Sequence, residues 1–124
     1  MSTKISFVGN EKLLKTFTCA LADKIILQGR LYVTNDRLCF HSKFNADNVF
    51  FGGTFIEIPK KDIIKLEKKK NGIFFDNSLS ITTINGEVFL TSFFKRNKAF
   101  DLISKITELH YNDQAFEEED EVQE

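Results

Sequence analysis

SLSITTINGEVFLTSFFKRNKAFDLISKITELH, residues 78–110, carries the two signals that decide the fold. Two strand-like runs, 78–84 and 87–93, flank Asn85-Gly86. That dipeptide is the strongest short hairpin signal, because both central residues of the favoured turn need positive φ. Then the period changes. Ala99, Leu102, Ile103, Ile106 and Leu109 or His110 recur at three and four residues, one apolar stripe along a helix. Asn97 is placed to cap that helix, and Asp101 sits early, where the macrodipole favours an acid. The pattern predicts a helix over about residues 98–110.

Upstream, the chain keeps the period of two. Residues 13–21 alternate, with Leu13, Lys15, Phe17, Cys19 and Leu21 on one side. Residues 25–34 are rich in β-branched and aromatic side chains, with Gly29 expected at a bulge or tight bend. A turn at Thr34-Asn35-Asp36 leads into 37–44, where Leu38, Phe40, Ser42 and Phe44 share a face. Residues 54–58 make a further strand, stopped by Pro59, and 62–69 set Ile64 and Leu66 against charges. Seven short antiparallel strands and one helix predict a mainly β fold. It is a bent sandwich or partly open barrel of seven strands, pleckstrin-homology-like, with the C-terminal helix capping one opening.

The runs that build this meander resemble the GRAM domain family. Phe17-Thr18-Cys19-Ala20-Leu21, Ile26-Leu27-Gln28-Gly29-Arg30-Leu31-Tyr32-Val33-Thr34 and Leu38-Cys39-Phe40-His41-Ser42 look like its opening strands. The likeness continues through Ile56-Glu57-Ile58-Pro59, Asp62-Ile63-Ile64-Lys65-Leu66-Glu67-Lys68-Lys69 and Ser92-Phe93-Phe94 to Phe100-Asp101-Leu102-Ile103. It covers roughly residues 11–107. The resemblance implies a pleckstrin-homology-like module that reads membranes, with anionic lipids such as phosphoinositides and phosphatidylserine as ligands. Some members sit in sterol-transfer proteins at membrane contact sites. This chain departs from them in a longer connection between Phe44 and Thr54. It also shows no lipid-transfer, phosphatase or GTPase-activating segment, and no Pro-Pro-x-Tyr motif.

Composition sets the outer bounds. At 124 residues the chain is expected to form one domain over residues 11–112, after an N-terminal extension (1–10) and before an acidic, disordered tail (113–124). The formal net charge is −1, yet residues 116–124 hold six acids and no base, which leaves the remainder mildly basic. No apolar run approaches the ~18–20 residues of a spanning helix, and no signal peptide is evident. Cys19 and Cys39 make no disulfide framework, so both are expected to be reduced. A cytoplasmic protein, peripherally associated with membrane, is the corresponding expectation.

Two diphenylalanines stand out: Phe50-Phe51 before Gly52-Gly53, and Phe74-Phe75 after Asn71-Gly72. Turns are normally polar, so paired rings beside glycines suggest tips that bury themselves in something else. Parity in an up-and-down meander puts both pairs at one end, with Lys24, Lys43, Lys68, Lys69, Lys70, Lys95, Arg96 and Lys98. That predicts a lipid-binding site of Phe50, Phe51, Phe74, Phe75, Lys43, Lys68, Lys69, Lys70, Lys95 and Arg96, in which rings wedge into the acyl boundary and cations meet phosphates. The alternative is a protein-interaction adaptor of the same fold, binding a partner peptide or domain. The acidic tail either docks on a basic partner or folds back and weakens membrane binding.

No enzyme, metal or cofactor is expected. Cys39 and His41 share a strand face, but no third partner stands at catalytic or zinc-ligand spacing. Gly52-Gly53 lacks the Lys and Ser/Thr of a phosphate loop. Nucleic acid is disfavoured, because single-strand platforms carry their rings on a sheet face, whereas these pairs lie in connections.

Overall fold

Alternation sets the first strand. Phe17, Cys19 and Leu21 are buried while Thr18 is exposed, so β1 (Leu13–Ala22) lays one face on the core. A computed structural model of the chain describes residues 9–44, 53–71 and 75–109, with backbone alone at 70, 71, 75 and 76. After β1 come β2 (Ile26–Thr34), β3 (Arg37–Ser42), β4 (Thr54–Pro59) and a 3-10 turn at Lys60–Asp62. β5 (Ile63–Asn71), β6 (Phe75–Thr83), β7 (Gly86–Thr91) and α1 (Arg96–Thr107) follow. The strands pair antiparallel in one sheet of order β4-β3-β2-β1-β7-β6-β5. This is the expected pleckstrin-homology-like architecture. Its strand order is not a plain meander, however: β1 lies between β2 and β7, and the two sheet edges are β4 and β5.

The core fills the curl of this sheet. Leu27, Leu31, Val33, Leu38 and Phe40 from the first strands meet Leu66, Leu79, Ile81 and Leu90 from the last, and α1 adds Ala99, Phe100 and Ile103. Each such large side chain stabilises the fold by about 1.5–3 kcal/mol relative to exposure. The helix lies on β5, β6 and the 3-10 turn, so its apolar stripe is what draws it onto the sheet.

Three local expectations are revised. Ile64 was placed with Leu66, yet Ile63 is buried and Ile64 is 57% exposed. A register shift between Ile63 and Lys65 inserts one extra residue and flips the alternation there. Gly29 is not a bulge, since Cys19 faces it in unbroken register. It is a point of close approach, where a Cβ would run into the His41 carbonyl oxygen and the Phe40 ring. Asn97 is not the N-cap. The helix begins at Arg96, Lys95 caps it without a side-chain bond, and Asn97 is buried in the first turn. Glu108 ends the helix in the left-handed region at φ 59°.

Candidate functional site

The registers fix the end of the ladder from which each connection leaves. β1 runs toward the turn at residues 23–25. Phe40 pairs with Leu31, and Leu31 with Phe17, so β3 runs with β1 and its exit lies beside that turn. β6 also runs with β1, because Leu79 pairs with Leu90 and Leu90 with Leu21. The β5–β6 connection precedes β6 and therefore leaves from the opposite end. Yet Lys60–Asp62 alone joins the exit of β4 to the start of β5, and it is bonded to both Asp36 and Ile84, so direction along this curled ladder does not by itself separate the two diphenylalanines in space. The sheet joins its halves through β1 and β7.

At the first end, Ser42 is the fixing point. Its hydroxyl donates to the Gln28 carbonyl at 2.6 Å and accepts the Phe44 N–H at 3.0 Å. The Thr54 hydroxyl donates to the Phe44 carbonyl at 2.8 Å. Gly53 passes so close to the Ser42 carbonyl that a Cβ there would collide with it. The two feet of the β3–β4 connection are thus bound together, and Phe44 is held at its base. Phe44 and Phe55 are each 47% exposed, and Ile25 and Ile26 stand about half exposed by the β1–β2 turn. Phe55 pairs with His41 and His41 with Arg30, which sets one outward row across three strands. Lys24, Arg30 and Lys43 are exposed.

Sequence reasoning missed Phe44, Phe55, Ile25 and Ile26 as site residues. A signal was present for one of them: Phe55 is out of phase with Ile56 and Ile58, an apolar residue on the polar face of an alternating strand. Of the expected members at this end, Lys43 is exposed beside Phe44. Phe50 and Phe51 lie outside the described residues, within the connection whose feet are Phe44 and Gly53.

The other end is organised differently. Arg96, expected at the headgroups, is instead 1% exposed. Its guanidinium donates to the Asn97 Oδ1 at 2.8 Å and to the carbonyls of Lys69 and Ser78, each at 3.2 Å. It ties the end of β5 and the start of β6 to the first turn of α1, so it is a structural clamp. Lys68 Nζ lies 5.0 Å from the Phe100 ring centroid, and Lys69 Nζ lies 3.6 Å from Glu67. Lys95 Nζ stands 5.8 Å from the ring centroid of Phe94, which is 75% exposed. Phe75 opens β6 by its backbone, paired with Asn71. Phe74 and the side chains of Phe75 and Lys70 lie outside the described residues.

Elsewhere the polar groups are structural. Arg37 pairs with Glu11 at 2.7 Å and Glu57 at 2.9 Å, and Glu11 also accepts the Thr34 hydroxyl at 2.7 Å. The hydrogen bond to Glu11 above all holds the Arg37 guanidinium protonated beyond its ordinary range. Burial pushes the Cys19 thiol up to about 12 and raises that of Cys39 as well, which makes both poor nucleophiles. Among the described residues, no group of three His, Cys, Asp or Glu could hold a metal ion. No described helix is long and apolar enough to cross a membrane.

A curved antiparallel sheet of seven strands with one C-terminal helix defines a pleckstrin-homology-like module. The GRAM domain family model matches residues 1–112, and the chain belongs to that family. It is similar to protein Aster-A of Mus musculus, 36% identical over 96 residues that span 77% of this chain and 13% of that one. It is 33% identical to an uncharacterized membrane protein of Schizosaccharomyces pombe over 77% of this chain and 12% of that one. Human GRAM domain-containing protein 2B is 32% identical over 102 residues, 82% of this chain and 22% of that one. The chain therefore spans less than a quarter of these curated relatives. Among solved structures, it is similar to the C-terminal domain of an unknown protein from Leishmania infantum. The TM-score is 0.68 at 28% identity, covering 80% of this chain and 86% of that one.

Proposed function

We propose that this GRAM domain is a non-catalytic, peripheral membrane-binding module that recognises anionic lipids, phosphoinositides or phosphatidylserine, at the end formed by the β1–β2 and β3–β4 connections. The observation that carries this reading is the group of half-exposed Ile25, Ile26, Phe44 and Phe55 among Lys24, Arg30 and Lys43. Apolar side chains on anchored backbone can enter the acyl boundary while the cations beside them meet phosphate, each base adding about 1 kcal/mol. Phe50 and Phe51 belong to this proposal, as the wedge between the fixed feet. Phe74, Phe75, Lys68, Lys69, Lys70 and Lys95 are not part of this proposal.

Vesicle sedimentation tests the reading. Wild type is expected to pellet with vesicles rich in phosphatidylserine or phosphoinositide but not with neutral vesicles, and the Phe50→Ser/Phe51→Ser variant to stay in solution. Wild type that ignores anionic vesicles sinks the membrane function. A double variant that pellets as well as wild type removes the wedge.

A further inference from the structure

Leu90 and Phe93 both belong to the core, although they are three residues apart. Along an unbroken strand alternate residues share a face, so an inward Leu90 would send Phe93 out and Phe94 in. Ser92 exchanges them. It stands at φ 56°, in the left-handed region that residues other than glycine seldom adopt. Beyond it Phe93 lies edge-on against Phe17, with ring centroids 6.4 Å apart, and its N–H donates to the Asn77 carbonyl at 3.1 Å. Phe94 is left 75% exposed, and its own N–H donates to the Thr18 carbonyl at 3.1 Å. An unfavourable backbone conformation that serves to put a phenylalanine ring in water is a reason to look for the use of that ring.

The bond to Thr18 places Phe94 at the end of a row that crosses four strands. Phe17 and Phe93 face inward together, so their neighbours Thr18 and Phe94 face outward together. Thr18 pairs with Arg30, Arg30 with His41, and His41 with Phe55. Directly paired residues share a face, and here it is the outer face of the β1–β4 layer: Thr18, Arg30 and Phe55 are exposed and His41 is half-buried. Four strand spacings of roughly 4.8 Å set Phe94 about 19 Å from Phe55, measured along the sheet. Cations accompany the row. Arg30 lies within it, Lys43 is two residues along the chain from His41, and Lys95 Nζ is 5.8 Å from the Phe94 ring centroid. Glu57, two residues along β4 from Phe55, is already paired with Arg37 at 2.9 Å.

We propose that the membrane contact does not stop at the β3–β4 connection but continues across this face to Phe94, so that the domain lies along the bilayer by its β1–β4 layer. Phe55 and Phe94 are then apolar anchors on the two sides of the face, and Arg30 and Lys95 meet lipid phosphate between and beside them. A flat anionic surface is the partner that reaches both rings and these cations at once. This rests on the membrane reading above and adds to it a second anchor and an orientation. A contact made by the connections alone would leave Phe94 in water.

The chain contains no tryptophan, so Phe94→Trp, Phe55→Trp and Lys105→Trp each carry a single fluorescent reporter. Lys105 is exposed on α1, which packs on β5, β6 and the 3-10 turn. Vesicles of phosphatidylserine and phosphatidylcholine with brominated acyl chains are the probe. They are expected to quench Phe94→Trp and Phe55→Trp to a similar degree and to leave Lys105→Trp unquenched. Phe94→Ser, which removes an exposed ring and keeps the backbone bond to Thr18, is expected to retain the wild-type unfolding midpoint and to weaken sedimentation with anionic vesicles about ten-fold. Quenching of Phe55→Trp without quenching of Phe94→Trp would overturn the second anchor and leave the membrane reading standing, as would a Phe94→Ser variant that sediments like wild type. Equal quenching of Lys105→Trp would overturn the orientation. Wild type that ignores these vesicles would remove both readings together.

Discussion

Both ends of the ladder are built from phenylalanine and lysine, and they spend these residues differently. At the β3–β4 end, Ser42, Thr54 and Gly53 fix the backbone and leave Phe44, Phe55 and Lys43 facing out. At the α1 end, Arg96 is buried as a clamp, Lys68 covers Phe100, and Lys69 shares Glu67 with Lys65. Counting bases near aromatics therefore does not locate a lipid site. What separates Arg96 from Lys43 is that hydrogen bonds sink the one into the fold and leave the other exposed.

The sharpest way to test the contrast is to exchange the expected phenotypes. Arg96→Leu leaves the Lys69 and Ser78 carbonyls and the Asn97 amide without this donor, and should lower unfolding stability by about 3 kcal/mol in urea titration. Vesicle affinity of the fraction that remains folded should not change. An Arg96→Leu protein of wild-type stability would break the assignment of this end as structural.

A second test lies between the ends, in the β1 core. Burial holds the Cys19 thiol protonated to about 12, whereas in the unfolded chain it ionises near 8.5. The folded pKa is the higher one, so this contribution is complete below about pH 8.5 and is lost as pH rises toward 12. Unfolding stability should fall by roughly 2 kcal/mol between pH 8 and pH 10 on this account. Cys19→Ala should flatten that slope, and an unaltered slope would show that Cys19 does not set it.

At the other end the phenotype should reverse. Phe44→Ser/Phe55→Ser is expected to keep unfolding stability within about 0.5 kcal/mol of wild type, because both rings are half exposed. It should weaken binding to anionic vesicles at least ten-fold, the effect of losing about 1.4 kcal/mol of inserted apolar surface. Unchanged sedimentation would take these rings out of the site. The smallest effect belongs to a single charge. Lys43→Gln should cost about five-fold in affinity at low salt, from about 1 kcal/mol per base, and almost nothing at high salt. Lys69→Gln should leave binding unaltered, and equal losses for the two would erase the distinction between the ends.

How far the fold could be read from the chain differs by element. Asn85-Gly86 and the stripe through Ala99, Leu102, Ile103 and Ile106 are local signals; the helix forms on its stripe, and the hairpin forms one residue early, turning at Ile84-Asn85 with Gly86 already paired to Thr83. Strand order is not local. Nothing in the period of β1 says that it pairs with β7 through Ala20 and Leu21, because the same alternation serves any neighbour. Up-and-down order along the chain therefore does not fix which strands are neighbours. Arg96 was misread for a related reason. A guanidinium is buried when carbonyls from distant residues converge on it, and Lys69 and Ser78 are 27 and 18 residues away. Phe55 was legible in principle, as the ring out of step with its strand.

Ser42 has a consequence beyond holding Phe44. With Gly53 pressed on its carbonyl and Thr54 reaching back to Phe44, the stretch between these feet is a closed loop whose ends are set by the sheet. Closure entropy changes by only about 0.6 kcal/mol for each doubling of such a loop. Residues 45–52 can therefore be lengthened, shortened or replaced at little expense to folding. A domain arranged this way is a socket: descendants of one gene can exchange a few residues there while the sheet behind them stays the same.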